Sequence, residues 1–281
     1  MKKKYMVIIL SLTSTAVVLL AAAVILILNT PQAPLTAASE TSVLSETAAV
    51  ITEARADTQA PVTEAPTEAP TEPPTEAPPA APGDMTDILA QNGNSLDDLS
   101  SLGCSQLVTV SSYGSSAAIR YYELEDNNTW TEDESLRCSG YVGRNGVTAD
   151  MHEGGYASPM GLYHIGDAFY IYSQPDTGLS SFQVTADTYW VDDPDSAYYN
   201  QRVEGTANKD WSSAEHMIDI PQYEYGFVID YNTEAVYNAG SAIFFHISYG
   251  GTAGCVGTDR DHVLSYLSKL DASRNPYIII V

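Results

Sequence analysis

The chain has 281 residues, 12 Lys+Arg against 36 Asp+Glu, a net charge of −24 and 44% hydrophobic residues. A balance this acidic argues against nucleic acid and anionic lipid surfaces as charge-recognised partners, since both would repel it. The length allows one well-cored domain with segments to spare.

The chain opens MKKKYMVIILSLTSTAVVLLAAAVILILNT. Tyr5 to Leu28 carry no charge. These 24 residues exceed a signal-peptide apolar core of roughly 7–15 and suffice to cross a hydrocarbon layer of about 30 Å. Lys2, Lys3 and Lys4 stay cytoplasmic by the positive-inside rule. Residues 1–28 therefore read as a single-pass cell-membrane anchor with everything after them outside the cell. The alternative, a signal cleaved near Thr36 to Ala38, leads to the same compartment.

Residues 29–83 change character. The run TEAPTEAPTEPPTEAPPAAPG repeats Thr, Glu, Ala and Pro without hydrophobic period. Such a segment buries too little apolar surface to offset its ordering entropy and favours extended polyproline II. It reads as a disordered spacer reaching roughly 170 Å when stiff and roughly 40 Å as a loose coil.

Residues 84–281 form the folded domain. Four of the 12 basic residues (Lys2, Lys3, Lys4, Arg55) and eight of the 36 acidic ones lie upstream, which leaves 8 against 28 and a charge of −20. A short helix fits Met85 to Gln91. The segments QLVTVSS, SAAIRYYEL, AFYIYS, SFQVTADTYWV, YGFVIDY, SAIFFHI and YIIIV are short, rich in β-branched and aromatic residues, and bounded by turn residues, as strands are. TDRDHVLSYLSKLD reads as a helix capped by Thr258 or Asp259, with Val263, Leu264, Leu267 and Leu270 on one face. The expected class is mainly β, a curved β-sandwich of mixed sheets with one clear helix near the C-terminal end. The acidic stretch DNNTWTEDES lacks an EF-hand's glycine and spacing and reads as a solvated hairpin loop rather than a metal site. His164 and His262 read as structural.

Three cysteines remain, in an oxidising compartment. Pairing Cys104 with Cys138 would close a 34-residue loop, worth about 3–4 kcal/mol in the chain-entropy model. Cys255 would then be a lone external thiol, which favours use over packing. A thiol needs a base, since free cysteine titrates near 8.5. His246 ends the run SAIFF, and eight residues including Gly250, Gly251 and Gly254 separate it from Cys255, enough to fold back. The N–H groups of Gly254 and Cys255 are then candidate oxyanion donors. An isolated histidine would more often be a satisfied core residue; beside a lone thiol it reads as a general base.

These residues resemble the L,D-transpeptidase catalytic domain, a family of peptidoglycan-remodelling cysteine acyltransferases. The match is His246, then TAGCV at Thr252 to Val256, then a helix and a final strand. GYVGRNGV at Gly140 to Val147 and the Ser-Pro-x-Gly turn in HEGGYASPMGLYHIGDAF are similar to further family segments. So are WVDDPDSAYYN, WSSAEHM and YGFVIDYN, with Glu215 and His216 either lining the cleft or supporting a turn. The resemblance spans roughly Cys104 to Val281. It implies Cys255 as nucleophile and His246 as base, with Gly254, Thr252 and Ser248 around the oxyanion and cleft. Ser248 or a backbone carbonyl would orient the imidazole. It also implies peptidoglycan stem peptides as partners, transfer through a thioester to an amine in a 3→3 cross-link, and no cofactor or metal. Water in place of the amine would make a carboxypeptidase; a non-catalytic wall-binding module is the third reading. Two departures stand out: Ala253 replaces a frequent second histidine, and Gly257 replaces a frequent substrate-binding arginine, for which Arg144 and Arg260 are possible substitutes.

Overall fold

The computed structural model describes residues 84–281. The expected anchor (1–28) and linker (29–83) lie outside the described residues. Among the described residues no helix is long and apolar enough to cross a membrane.

Two short helices, α1 (Met85–Gln91) and α2 (Leu96–Leu102), lead into β1 (Gln106–Tyr113), β2 (Ser116–Leu124), β3 (Trp130–Glu132) and β4 (Cys138–Tyr141). There follow β5 (Val147–Thr148), β6 (Ser158–Pro159), β7 (Gly161–Tyr170), β8 (Ser181–Gln183), β9 (Thr188–Val191), β10 (Arg202–Glu204) and β11 (Ala214–His216). The chain ends with β12 (Tyr225–Ile229), β13 (Phe244–Ile247), β14 (Val256–Thr258), α3 (Arg260–Lys269) and β15 (Pro276–Ile280).

Strands β1, β15, β7, β12, β13, β14, β4 and β2 pair in that order, and β2 pairs back onto β1. The mainly-β class holds, but the architecture is an eight-stranded mixed, barrel-like sheet rather than a sandwich. The physical reason lies at β1. One edge zips antiparallel to β2 from Gln106↔Glu123 to Tyr113↔Ser116, and the other takes β15 in parallel, so the ring closes.

Period-two alternation gives each wall two faces. Val108, Val110, Ile119, Tyr121, Phe227, Phe245, Ile278 and Ile280 share one buried cluster. Their neighbours Leu107 and Ile279 face the other way and pack with Ile88, Leu89 and Leu99 of α1 and α2. Helix α3 is capped by Asp259, whose carboxylate accepts from Asp261 N–H and His262 N–H. It sends Val263, Tyr266 and Leu267 into the first cluster. Each such side chain contributes about 1.5–3 kcal/mol of burial.

Three sequence expectations need correction. SFQVTADTYWV is two strands, because Thr185 and Thr188 bond to each other in a turn between β8 and β9. Helix α2 was not anticipated, although Ser95 and Asp98 form a reciprocal capping box at its start. The expected Cys104–Cys138 disulfide is absent: all three cysteines are free thiols. Cys138 pairs with Ile119 on β2, whereas Cys104 precedes Gln106, the partner of Glu123. About six residues of strand, roughly 20 Å, separate the two levels. A disulfide tolerates about 4.4–6.8 Å between Cα atoms.

Candidate active site

With three free thiols, oddness no longer singles out Cys255; geometry does. Strands β13 and β14 run parallel, with Phe245 opposite Val256 and His246 opposite Gly257. Cys255, one residue earlier, falls level with Phe244, on the face that also carries His246. The Phe244 N–H donates to Cys255 Sγ at 3.3 Å, and the thiol is 3.2 Å from the Ala242 carbonyl that accepts its proton. Cys255 and His246 both line one cavity of about 420 Å³ and are 6% and 7% exposed.

The loop before Cys255 is held from several directions. Thr252 Oγ1 donates to the Cys255 carbonyl at 2.6 Å and accepts from Gly254 N–H at 3.1 Å. Thr252 N–H donates to Val142 O at 2.9 Å, and Arg144 N–H donates to Thr252 O at 3.0 Å. Ser158, fully buried, donates to Gly254 O at 2.6 Å, lies 3.2 Å from Cys255 O, and accepts from Gly143 N–H at 2.9 Å. The two upstream segments similar to the family are thus the clamps of this loop. A Cβ on Gly143 would meet Ala157 Cα and Tyr156 O at 2.5 Å, so only glycine allows this approach.

Gly254 lines the cavity, but its N–H is committed to Thr252, which leaves Cys255 N–H from the expected oxyanion pair. Ser248 also lines the cavity but does not orient the imidazole, since its hydroxyl donates to Gly250 O at 2.8 Å. The orienting group is the Ile247 carbonyl, 2.8 Å from His246 Nδ1. A carbonyl only accepts, so Nδ1 carries the hydrogen and Nε2 is free to take a proton. Tyr223 stands edge-on to the imidazole at 5.1 Å.

Burial lowers His246 to about 4, opposed by the Ile247 bond. Burial also raises Cys255 well above the ordinary thiol range, the Glu215 carboxylate adding to the rise and Phe244 N–H opposing it. The resting pair is therefore neutral, not a thiolate–imidazolium pair. Glu215 itself is raised to about 7 by burial first, with Asp192 and Glu153 contributing and the Tyr223 hydroxyl, donating at 2.6 Å, opposing.

Of the Glu215–His216 pair, only Glu215 lines the cavity. His216 turns away to Asp219 at 2.7 Å and to the Ala186 carbonyl at 2.8 Å. Arg260 is paired with Glu224 at 2.8 Å, away from the cavity lining. Arg144 stacks on Tyr156, which borders the cavity, with 4.0 Å between guanidinium carbon and ring centre. Neither arginine lines the cavity. A Cβ on Gly257 would lie 2.4 Å from Ser248 Cβ, so this position does not accept the arginine frequent in the resembling family. Residues the sequence reading missed are Ser158 and Tyr223. Only the Ser-Pro-x-Gly turn hinted at the former.

No family model matches the chain, and no curated protein matches it. Among solved structures it is similar to the helical cell shape determining protein Pgp2 from Campylobacter jejuni. The alignment covers 63% of this chain and 47% of that one, at 12% identity and a TM-score of 0.33. This chain thus spans about half the length of that protein.

Proposed function

We propose that this protein is a cysteine acyltransferase of the L,D-transpeptidase type, held at the membrane by residues 1–28 and acting on peptidoglycan stem peptides on the wall side. One observation carries the reading: His246, with its Nδ1 hydrogen pinned by Ile247 O, and Cys255 open onto the same cavity from one face of a parallel strand pair. The sequence resemblance through TAGCV supports it independently.

On this reading a stem peptide enters the cavity and displaces the Cys255 thiol from Ala242 O. His246 Nε2 takes the thiol proton as sulfur attacks the acyl carbon. Because both groups are neutral at rest, proton transfer accompanies attack rather than preceding it. Cys255 N–H donates to the developing oxyanion. The protonated imidazole returns its proton to the departing amine, which leaves as the terminal residue, and a thioester remains on Cys255.

Intact mass of the full-length protein after incubation with a carbapenem tests this, alongside Cys255→Ala. A single adduct on the wild type and none on the variant is expected. A folded wild-type protein that is acylated neither by the carbapenem nor by tetrapeptide stems would overturn the acyltransferase reading and put the non-catalytic wall-binding module ahead of it.

A further inference from the structure

Two of the segments singled out in the sequence, WVDDPDSAYYN and YGFVIDYN, end at Asn200 and Asn232, and the fold joins those ends. The Asn200 side-chain amide has two donor and two acceptor positions, and all are filled. Its Nδ2 donates to Tyr231 O at 2.9 Å and to Asn232 O at 3.0 Å. Its Oδ1 accepts from Trp190 Nε1 and from Ala242 N–H, both at 3.0 Å. Two carbonyls on one side and two N–H groups on the other fix which way the amide points. Asn200 thereby clasps the neck of the loop that leaves β12 after Ile229 and returns to β13 at Phe244.

What the clasp holds is the neighbour of the thiol. Ala242 is buried and has a φ of 53°, a left-handed conformation that a residue with a Cβ rarely adopts. Such a conformation persists only where the surroundings enforce it, and here the bond from Ala242 N–H to Asn200 does so. The Ala242 carbonyl is the acceptor 3.2 Å from Cys255 Sγ. The other group on the sulfur, Phe244 N–H at 3.3 Å, belongs to the residue on which Trp190 packs edge-on at 4.8 Å. Asn200 therefore grips both supports of the thiol, one through Ala242 and one through Trp190, while standing outside the cavity lining itself.

We propose that Asn200 is a positioning residue for Cys255: by holding Ala242 in the left-handed region it aims the Ala242 carbonyl at the sulfur, and so keeps the nucleophile a shielded thiol until a ligand displaces it. This rests on the acyl-transfer reading for the role of Cys255, whereas the hold itself is a property of the resting chain. A thiol reacts as its thiolate, and a hydrogen bond made by the neutral S–H favours the protonated form. With the Ala242 carbonyl in place, the S–H is directed to it rather than to His246. Without it, the sulfur is free to turn into the cavity that His246 also lines.

The test is alkylation of the native full-length chain by iodoacetamide, resolved cysteine by cysteine in the mass spectrometer. Asn200→Gly removes the side chain yet suits the left-handed backbone at this position, where φ is 54°. It should raise the alkylation rate of Cys255 about fivefold, the scale of one hydrogen bond, and leave Cys104 and Cys138 as slow as in the wild type. Asn200→Asp keeps an oxygen for Ala242 N–H and Trp190 Nε1 but donates nothing to Tyr231 O and Asn232 O, so Cys255 should stay slow. Equal gains at all three cysteines, no gain at Cys255 in a folded Asn200→Gly, or an Asn200→Asp as reactive as Asn200→Gly would overturn the assignment. A second arm leaves Asn200 in place. In infrared difference spectra of wild type against Cys255→Ala, the S–H stretch of Cys255 should fall below the frequency of a free thiol, as a donating S–H does. A band at the free-thiol frequency, or no band, would overturn the hold. Carbapenem acylation is followed in parallel: a wild type that is never acylated overturns the acyl-transfer reading, and the alkylation rates still decide what Asn200 does.

Discussion

The Ser158 hydroxyl donates to the Gly254 carbonyl at 2.6 Å, tying the Ser-Pro-x-Gly turn to the peptide that carries the candidate nucleophile. Replacing it with alanine strands the Gly254 carbonyl and the Gly143 N–H in the interior. Ser158→Ala should lower unfolding free energy by about 1–3 kcal/mol in a urea titration. Carbapenem acylation should slow by about tenfold under conditions where the variant is still folded, because the loop no longer aims Cys255. Unaltered acylation would mean that Thr252 suffices as the clamp.

Two groups lining the cavity, the buried His246 and the half-buried Glu215, impose opposite pH dependences. His246, lowered from 6.5 to about 4, keeps the folded chain short of a proton that the unfolded chain binds, so its contribution is lost as pH falls between those values. Glu215, raised from 4.5 to about 7, holds a proton that the unfolded chain releases, so its contribution is lost as pH rises between those values. From about 4.5 to 6.5 the two slopes oppose each other. The stability of Glu215→Gln relative to wild type should therefore climb with pH, by up to about 3 kcal/mol in all, at 1.36 kcal/mol per unit. That of His246→Gln should fall with pH over its own window. A pH-independent difference for both would rule out the assigned protonation states.

The thiols offer a direct count. Denatured without reductant and treated with iodoacetamide, the chain should gain three adducts, one at each free cysteine. In the native state all three should react slowly: Cys104 is 1% exposed and burial pushes it up to about 11, while burial also raises Cys138 and Cys255. A single adduct on the denatured chain would restore the Cys104–Cys138 disulfide.

Gly257 shows why one family-like side chain is missing. Gly257→Arg should lower the melting temperature, since its Cβ meets Ser248 Cβ at 2.4 Å; overpacking of this kind costs about 1–3 kcal/mol. Ser248→Gly in the same chain should recover most of that loss. A lack of recovery would trace the cost to His246 O, 3.2 Å from the same Cβ.

Local chemistry was legible where it repeats along the chain. Alternating apolar residues gave β2 from Ser116 to Leu124 with the bounds observed, and Asp259 with Val263 and Leu267 marked α3. Gly161 to Asp167 was missed as strand because β7 there mixes Tyr163, His164 and Asp167 with apolar residues, facing Asp230 and Tyr231 rather than a uniform core. Barrel closure depends on β1 meeting β15 some 170 residues later, which no local period encodes. His246 and Cys255 could be paired because few residues separate them. Ser158 lies 97 residues from Cys255, and the cysteine pairing failed because compartment speaks to redox state but not to distance.

In the closed ring β1 and β15 stand four strands from β13 and β14, on the opposite wall. Helices α1 and α2 cover the first pair, and the cavity opens over the second. A bead or sensor surface coupled just ahead of Asp84 would therefore grip the domain by its back. Its mouth would remain presented to the medium, an orientation suited to screening immobilised protein against large, polymeric substrates.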